Sequence, residues 1–218
     1  MSAAPLNFTV SEVTSKDDFP GLVAVEKAAF RSSQLLSLML PPDPSSPENF
    51  ANTVHNHEKA WATDPNAKYV KAALPDGKII GEAKWYFLLD AEAREKDPWE
   101  IDFAPGANRE LYNGYFGALN KARMERLGGK RHILMAILAI DPEYQRKGVG
   151  HELLRWGLKQ ADEEQVECWI DASPAGHGLY KQFGWEDVGT VQTDLRPYGG
   201  DAPTGRGVVN MLRQPKAK

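Results

Sequence analysis

Ile137-Leu138-Ala139-Ile140-Asp141-Pro142-Glu143-Tyr144-Gln145-Arg146-Lys147-Gly148-Val149-Gly150 sets an apolar run against a basic, glycine-bearing loop. Upstream, His132 to Ile140 is apolar at both odd and even positions, the pattern of a strand covered on both faces. Downstream, Gly148 to Gln165 carries Val149, Leu153, Gly157 and Ala161 on one stripe with Leu154 and Leu158 beside it, which predicts an amphipathic helix. The first turn of a helix offers unpaired N–H groups and a partial positive charge, which suit an anion. Gly148 and Gly150 let the backbone approach a ligand closely, and successive turn amides can form a concave nest. Arg146 and Lys147 add full positive charge. The segment reads as a pyrophosphate cradle, against the plainer reading of a basic turn before a helix.

Two standard phosphate loops fit less well. No Gly-x-x-x-x-Gly-Lys-Ser/Thr run is present. Gly148-x-Gly150 with Asp171 downstream approaches a dinucleotide fingerprint, but Leu153 replaces the third glycine. Asp141 to Lys147 also separates the strand from the glycines, where the fingerprint turns almost directly into its helix.

The wider chain reads as alternating elements. Leu6 to Thr14 suggests an opening strand, and Asp17-Asp18 can cap a helix to about Phe30. Pro41 to Pro47 excludes regular structure, and Ser46-Pro47-Glu48 starts a helix to about Trp61. Ala67–Leu74 and Lys78–Leu89 flank Pro75-Asp76-Gly77, a hairpin signal. Asp90 to Gly106 is a charged excursion, followed by a helix over Arg109 to Leu127 that Gly128-Gly129 stops. Val166–Ala172 is strand-like, Gly178–Phe183 a short helix, and Val188–Leu195 and Val208–Leu212 are late strands. The order βααββαβαβαββ predicts an α/β fold, a mixed central sheet with helices on both faces.

With these residues in view, Ile137 to Gly150 resembles the acyl-CoA motif of the GNAT superfamily of N-acetyltransferases. Asp171-Ala172-Ser173-Pro174-Ala175-Gly176 and Gly178-Leu179-Tyr180-Lys181-Gln182-Phe183-Gly184-Trp185 are similar to the strand and helix that complete that family's site. The resemblance implies one N-acetyltransferase domain over residues 6–214, with a motif core over 131–195. It implies acetyl-CoA as cosubstrate, its pantetheine arm along Leu138, Ala139 and Ile140. Its pyrophosphate would lie on Gln145, Arg146, Lys147, Gly148, Val149, Gly150 and His151, with Ser173 completing the cofactor set. It further implies that the central strand and the next one splay apart, and that Tyr180 serves the departing thiolate.

Composition is consistent with that reading. A length of 218 residues fits one domain. A balance of 26 basic to 30 acidic residues, net −4, argues against a protein built to neutralise nucleic acid. Hydrophobic content of 42% excludes wholesale disorder. Cys168 is the only cysteine, which excludes an internal disulfide and a thiolate-rich zinc cluster; amid Val166, Trp169 and Ile170 it reads as a buried apolar residue. Met1 to Val10 shows no secretory signal, and the longest apolar run is too short to span a bilayer, so the expectation is a cytoplasmic protein. No docking tail is evident, which favours a small-molecule amine acceptor and no nucleic-acid or membrane partner.

The reaction so implied must deprotonate an amine with a pKa near ~10, stabilise an oxyanion and protonate a thiolate. Many members of the family place Glu or His on the central strand where Leu134, Met135 and Ala136 stand here. Glu82, Asp171 and His177 are replacement bases, and a water chain is another route. His55 and His57, at i, i+2 spacing, fall on different helix faces and read as solvated residues, not a metal pair. Trp85-Tyr86-Phe87 fits either substrate stacking or alternating burial. Trp99 and Phe103 read as a possible lid, and the acid of Asp90 to Glu100 either draws a cationic amine or is a solvated helix. Acetylation of a protein N-terminus or lysine, and a catalytically silent acyl-CoA-binding module, stand as alternatives. A nucleotide-binding oxidoreductase is the third.

Overall fold

The computed structural model describes residues 6–41, 43, 46–95, 98–203 and 207–217. Seven strands form one sheet in the order β1-β2-β3-β4-β5-β7-β6. They are β1 (Thr9–Glu12), β2 (Ala67–Ala73), β3 (Ile79–Leu88), β4 (His132–Ile140), β5 (Glu167–Ala172), β6 (Glu186–Val191) and β7 (Val208–Arg213). All neighbours are antiparallel except β4 and β5. A parallel pair needs a long crossover, which α6 (Val149–Glu164) supplies. The remaining helices are α1 (Phe19–Phe30), α2 (Gln34–Met39), α3 (Pro47–Thr63), α4 (Ala91–Glu95), α5 (Arg109–Leu127) and α7 (Pro174–Lys181). The expected α/β architecture, a mixed sheet covered on both faces, is the one observed.

Period-two alternation sorts the strand side chains into two cores. Ala83, Trp85, Ile133 and Met135 pack with Leu153 and Leu154 of α6. Tyr69, Tyr86, Leu88 and Leu134 pack on the opposite face with Phe19 and Leu22 of α1. Trp85-Tyr86-Phe87 is therefore alternating burial, at 0%, 4% and 9% exposure. A Cβ on Gly157 would enter the Trp85 ring, so this glycine lets α6 settle onto β3. Arg213 of β7 is buried and grips Asp162 of α6 through two bonds of 2.8 and 3.0 Å, tying the helix to the far half of the sheet.

Several boundaries differ from expectation. Helix α2 was not foreseen; Ser33 caps it by accepting from the Leu36 N–H, and Met39 anchors it. Helix α7 begins at Pro174 rather than Gly178 because Ser173 caps it and Pro174 occupies the first turn, where a missing N–H costs nothing. Strand β6 starts and ends earlier than Val188–Leu195, and Arg196–Tyr198 turns as a 3-10 helix. Of the proline-rich stretch, Pro42, Pro44 and Ser45 lie outside the described residues. Among the described residues no helix is long and apolar enough to cross a membrane.

Two irregularities of β4 shape the middle of the sheet. Lys84 pairs with Ile137 and Trp85 with Met135, so Ala136 is an extra residue in a β-bulge. Pairing with β5 covers only His132↔Glu167 to Met135↔Ile170. Beyond that point β4 continues against β3, while β5 continues against β7 through Asp171↔Asn210 and Ala172↔Val209. The two strands part, and among the described residues no strand lies beside the edge of β4 from Ala136 onward on that side.

Candidate active site

The rim of this opening is the loop between β4 and α6. Gln145 folds back so that its Nε2 donates to the Ile140 carbonyl at 3.2 Å. Asp141 accepts from the Glu143 N–H at 3.0 Å, which rounds the 3-10 turn Pro142–Tyr144. Arg146 takes a positive φ of 61° and Gly148 one of 88°, the left-handed region that favours glycine. Gly148 is the N-cap residue of α6 and gives no side-chain oxygen to its first turn. Helices α2, α3, α5 and α7 each have one leading N–H engaged by a cap, Ser33, Ser46, Asn108 and Ser173, whereas α6, like α1, has no side-chain cap. At α6 the preceding Arg146 and Lys147 are exposed.

The loop residues divide by what their side chains do. The Val149 side chain points into the core beneath Gly81, so only its backbone faces the rim. A Cβ on Gly150 would stand 3.2 Å from Leu179, so this glycine also allows α7 to approach α6. Lys147 lies 5.2 Å over the Tyr144 ring. His151 contacts Gln182 at 3.2 Å and Phe183, on the α7 side of the rim.

A cleft of about 350 Å³ is lined by Met135 to Leu138 of β4, and no residue of the loop itself reaches it. Leu138, Asp171, Ser173 and Tyr180 line it on the side where the strands part. Ala139 is buried opposite Glu82 and its side chain does not reach the cleft wall. Tyr180 is 6% exposed, and its burial pushes the phenol well above the usual tyrosine range, so it is a neutral O–H donor. A Cβ on Gly176 would stand 2.7 Å from the Tyr180 ring, so Gly176 makes room for it.

The opposite wall carries a group of polar residues that sequence reasoning missed. Glu26 of α1, His57 of α3 and Lys84 of β3 all line the cleft. His57 Nε2 stands 2.8 Å from Glu26 Oε2, and its Nδ1 3.0 Å from the Tyr69 hydroxyl. Burial raises the Tyr69 phenol, so Tyr69 donates to Nδ1 and the Nε2–H donates to Glu26. Burial pushes Glu26 up, but His57 and Lys84 more than offset it and hold the carboxyl below its usual range. Glu82 is buried at 2% exposure. Its burial and the neighbouring Glu26 push it well above the carboxylate range, and its Oε1 has no partner among the described residues. The two neighbouring carboxyls are thus pushed in opposite directions, Glu26 down and Glu82 up. Lys84 Nζ lies 4.9 Å over the Tyr86 ring and 5.2 Å over that of Tyr69.

His57 corrects the expectation of a solvated residue: at 7% exposure it is buried, while His55 stays outside on Asp102 at 3.3 Å. The i, i+2 spacing had shown that the two face apart, but not that one faces inward. Among the described residues no cluster suited to a metal ion occurs. Of the proposed bases, Asp171 lies in the cleft. Burial pushes it to about 6, against hydrogen bonds from Asn210 at 2.6 Å and Trp169 at 3.0 Å. His177 pairs with Asp187 at 2.8 Å and does not line the cleft. Glu82 sits beneath Glu26 rather than on the wall. Trp99 and Phe103 both line the cleft, as the lid reading requires. Of the acid in the excursion, Asp90 accepts from the Ala93 N–H and Glu100 lines the cleft, while Asp97 lies outside the described residues.

An α/β sheet that parts beside an uncapped helix N-terminus is a scaffold for an extended, anion-bearing acyl carrier. The chain belongs to the acetyltransferase (GNAT) family, whose model matches residues 33–185. A Stachybotrys chartarum protein named acetyltransferase is 26% identical over 95% of this chain and 93% of its own length. The Mycobacterium tuberculosis N-alpha-acetyltransferase RimI is 33% identical over 50% of this chain and 75% of its own. Among solved structures, a Corynebacterium glutamicum protein described as histone acetyltransferase HPA2 and related acetyltransferase shares the fold. Its TM-score is 0.64 at 22% identity, over 98% of this chain and 99% of that one.

Proposed function

We propose that the protein transfers the acetyl group of acetyl-CoA directly to a primary amine on a small molecule. The observation that carries this reading is the parting of β4 and β5 after Met135 and Ile170, between the uncapped start of α6 and the cleft that holds Tyr180. The free edge of β4 at Leu138 to Ile140 suits the amide groups of a pantetheine arm. The Gln145–Gly150 loop, with His151 at its flank, suits the pyrophosphate because amides, glycine backbone and two cations converge there. Ser173 also lines the cleft, although its hydroxyl is already engaged by the Gly176 N–H at 3.3 Å.

Acetyl-CoA supplies the activated thioester; the chain supplies position and proton handling. Backbone N–H groups near the Ala136 bulge are suited to a developing oxyanion. Tyr180, neutral and buried, is suited to protonate the leaving sulfur. The central strand lacks a carboxylate, but Glu26 and Asp171 place two in the cleft, which supports turnover over a silent binding module. A second reading, acetylation of a protein N-terminus, draws on the name of the mycobacterial relative.

Calorimetry with acetyl-CoA and CoA release over an amine panel test the proposal together. Binding with amine-dependent release is the expected result; NAD(P) binding in place of acetyl-CoA overturns it.

A further inference from the structure

We infer that the acceptor is a small primary amine carrying an aromatic or comparably bulky apolar body, and that Glu26 is the carboxylate that receives its ammonium and takes its proton. The inference rests on the acetyl-transfer reading above. It starts from how the cleft is divided. Tyr112, Tyr115, Phe116 and Leu119 stand at i, i+3, i+4 and i+7 on α5 and line the cleft together. Trp99 stacks on Phe116 at 4.6 Å, Tyr112 lies 4.4 Å from Phe116, and Phe103 meets Tyr112 edge-on at 5.1 Å. The rings form one continuous aromatic wall. Among the described lining residues the carboxylates are Glu26, Glu100 and Asp171, set beside the Lys84 cation in a lining that is mostly apolar and aromatic, which suits one ammonium on an apolar body.

The roof of the cleft argues against a peptide. The segment carrying Trp99 and Phe103 is pinned from two sides. Tyr86 and Tyr112 hydroxyls donate to the Pro98 and Trp99 carbonyls at 3.0 and 2.8 Å. Asn52 and Asn56 donate to the Asp102 carbonyl at 3.2 and 3.0 Å, and the Asp102 N–H donates to Asn56 at 2.8 Å. Fastened to β3, α3 and α5, this segment gives the cleft a held aromatic roof, which suits a compact ligand better than an extended chain.

Glu26 stands at the polar end of this space with 21% of its side chain exposed. The groups packed against it are His57 from α3 and Glu82 and Lys84 from β3, with Tyr69 of β2 behind His57. The Nε2–H of His57 fixes one carboxylate oxygen of Glu26 at 2.8 Å, and His57 and Lys84 favour its anion while Glu82 beneath it is pushed towards the acid form. In the reaction the amine nitrogen bonds to the acetyl carbon and the carbon–sulfur bond breaks. Two protons leave the ammonium nitrogen: one ends on the CoA sulfur, the other on Glu26, which returns it to solvent.

The test uses the full-length protein and saturating acetyl-CoA, with 2-phenylethylamine, spermidine and a short peptide bearing a free N-terminal alanine. The expected kcat/KM for 2-phenylethylamine is at least tenfold above the other two. Glu26→Gln should lower it at least 100-fold and remove the acidic limb of its pH profile, with acetyl-CoA Kd within twofold of wild type. Phe116→Leu, which leaves the charged group alone, should raise KM for 2-phenylethylamine about tenfold at similar kcat. Preference for spermidine or the peptide, or Glu26→Gln activity within threefold of wild type, overturns the inference while leaving acetyl transfer intact. Failure to bind acetyl-CoA at all overturns the underlying reading instead.

Discussion

Glu26 Oε2 and His57 Nε2 meet at 2.8 Å, joining α1 to α3 at the wall of the cleft. Both side chains are largely withdrawn from water, and the Tyr69 hydroxyl completes the row at 3.0 Å from the other ring nitrogen. Buried ionic groups cost desolvation energy and are retained where their arrangement is satisfied by neighbours. Here the arrangement also leaves Glu82 with an orphan oxygen, a cost that protonation reduces because a neutral carboxyl is cheaper to bury than an anion.

The phosphate loop gives the first prediction. Gly148→Asp places a side chain on a residue at φ 88° and a negative charge where the pyrophosphate would lie. The conformational cost alone is about 1–2 kcal/mol. Acetyl-CoA affinity measured by calorimetry should fall by roughly 100-fold or more, about 3 kcal/mol. An unchanged Kd would remove the loop from the binding site.

Tyr180→Phe keeps the ring and removes the donor. If the phenol protonates the leaving sulfur, kcat should fall by about 10²-fold, the lower range for acid–base groups, with acetyl-CoA Kd nearly unchanged. Equal kcat in the two proteins would return Tyr180 to a packing role against Trp185.

The buried His132 predicts a pH-dependent contribution to stability. Burial pushes its pKa down to about 4; its Nδ1 lies 2.8 Å from the Lys130 carbonyl and its Nε2 2.7 Å from Arg123. Arg123 can only donate, so the ring is neutral, giving its Nδ1–H to Lys130 and accepting at Nε2. The unfolded histidine, near 6.5, binds protons first, so the contribution is intact above that value and is lost as pH falls towards 4. From pH 7 to 5 the loss is about 2 kcal/mol. Asp171 and Glu82, both raised, contribute with the opposite slope, so the measurement is differential. The stability gap between wild type and His132→Gln, from urea melts, should narrow at pH 5; a constant gap refutes the assignment.

Gly157→Val tests the seat of α6. Its side chain would enter the Trp85 ring, and overpacking of this kind costs about 1–3 kcal/mol. For a domain of this size the melting temperature should drop by about 2–4 °C per kcal/mol. A variant as stable as wild type would mean that Trp85 repacks freely.

Much of the motif half was readable before any coordinates. Strand β4 announced itself by unbroken apolarity, α6 by its stripe, and the turn between them by glycine and charge. The ends of α7 and β6 were misplaced because the capping bond of Ser173 outweighed two helix-weakening glycines, Gly176 and Gly178. Helix α2 escaped because one short turn holds too few residues to show a period. The aromatic face of α5 was available in principle, since Tyr112, Tyr115, Phe116 and Leu119 stand at helical spacing, but a stripe through Leu111 and Tyr115 competed with it.

By itself the chain determined its alternating elements and the loop that opens α6, because periodicity, caps and glycine conformations act over a few neighbouring residues. Only the tertiary structure decided which side chains face the cleft. Glu26, His57 and Lys84, with Glu82 beneath them, come from one helix, a second helix and a strand, and no local pattern records their meeting. Their proton affinities are a property of that meeting too: the same carboxyl is pushed down beside an imidazole N–H and up beneath another carboxylate.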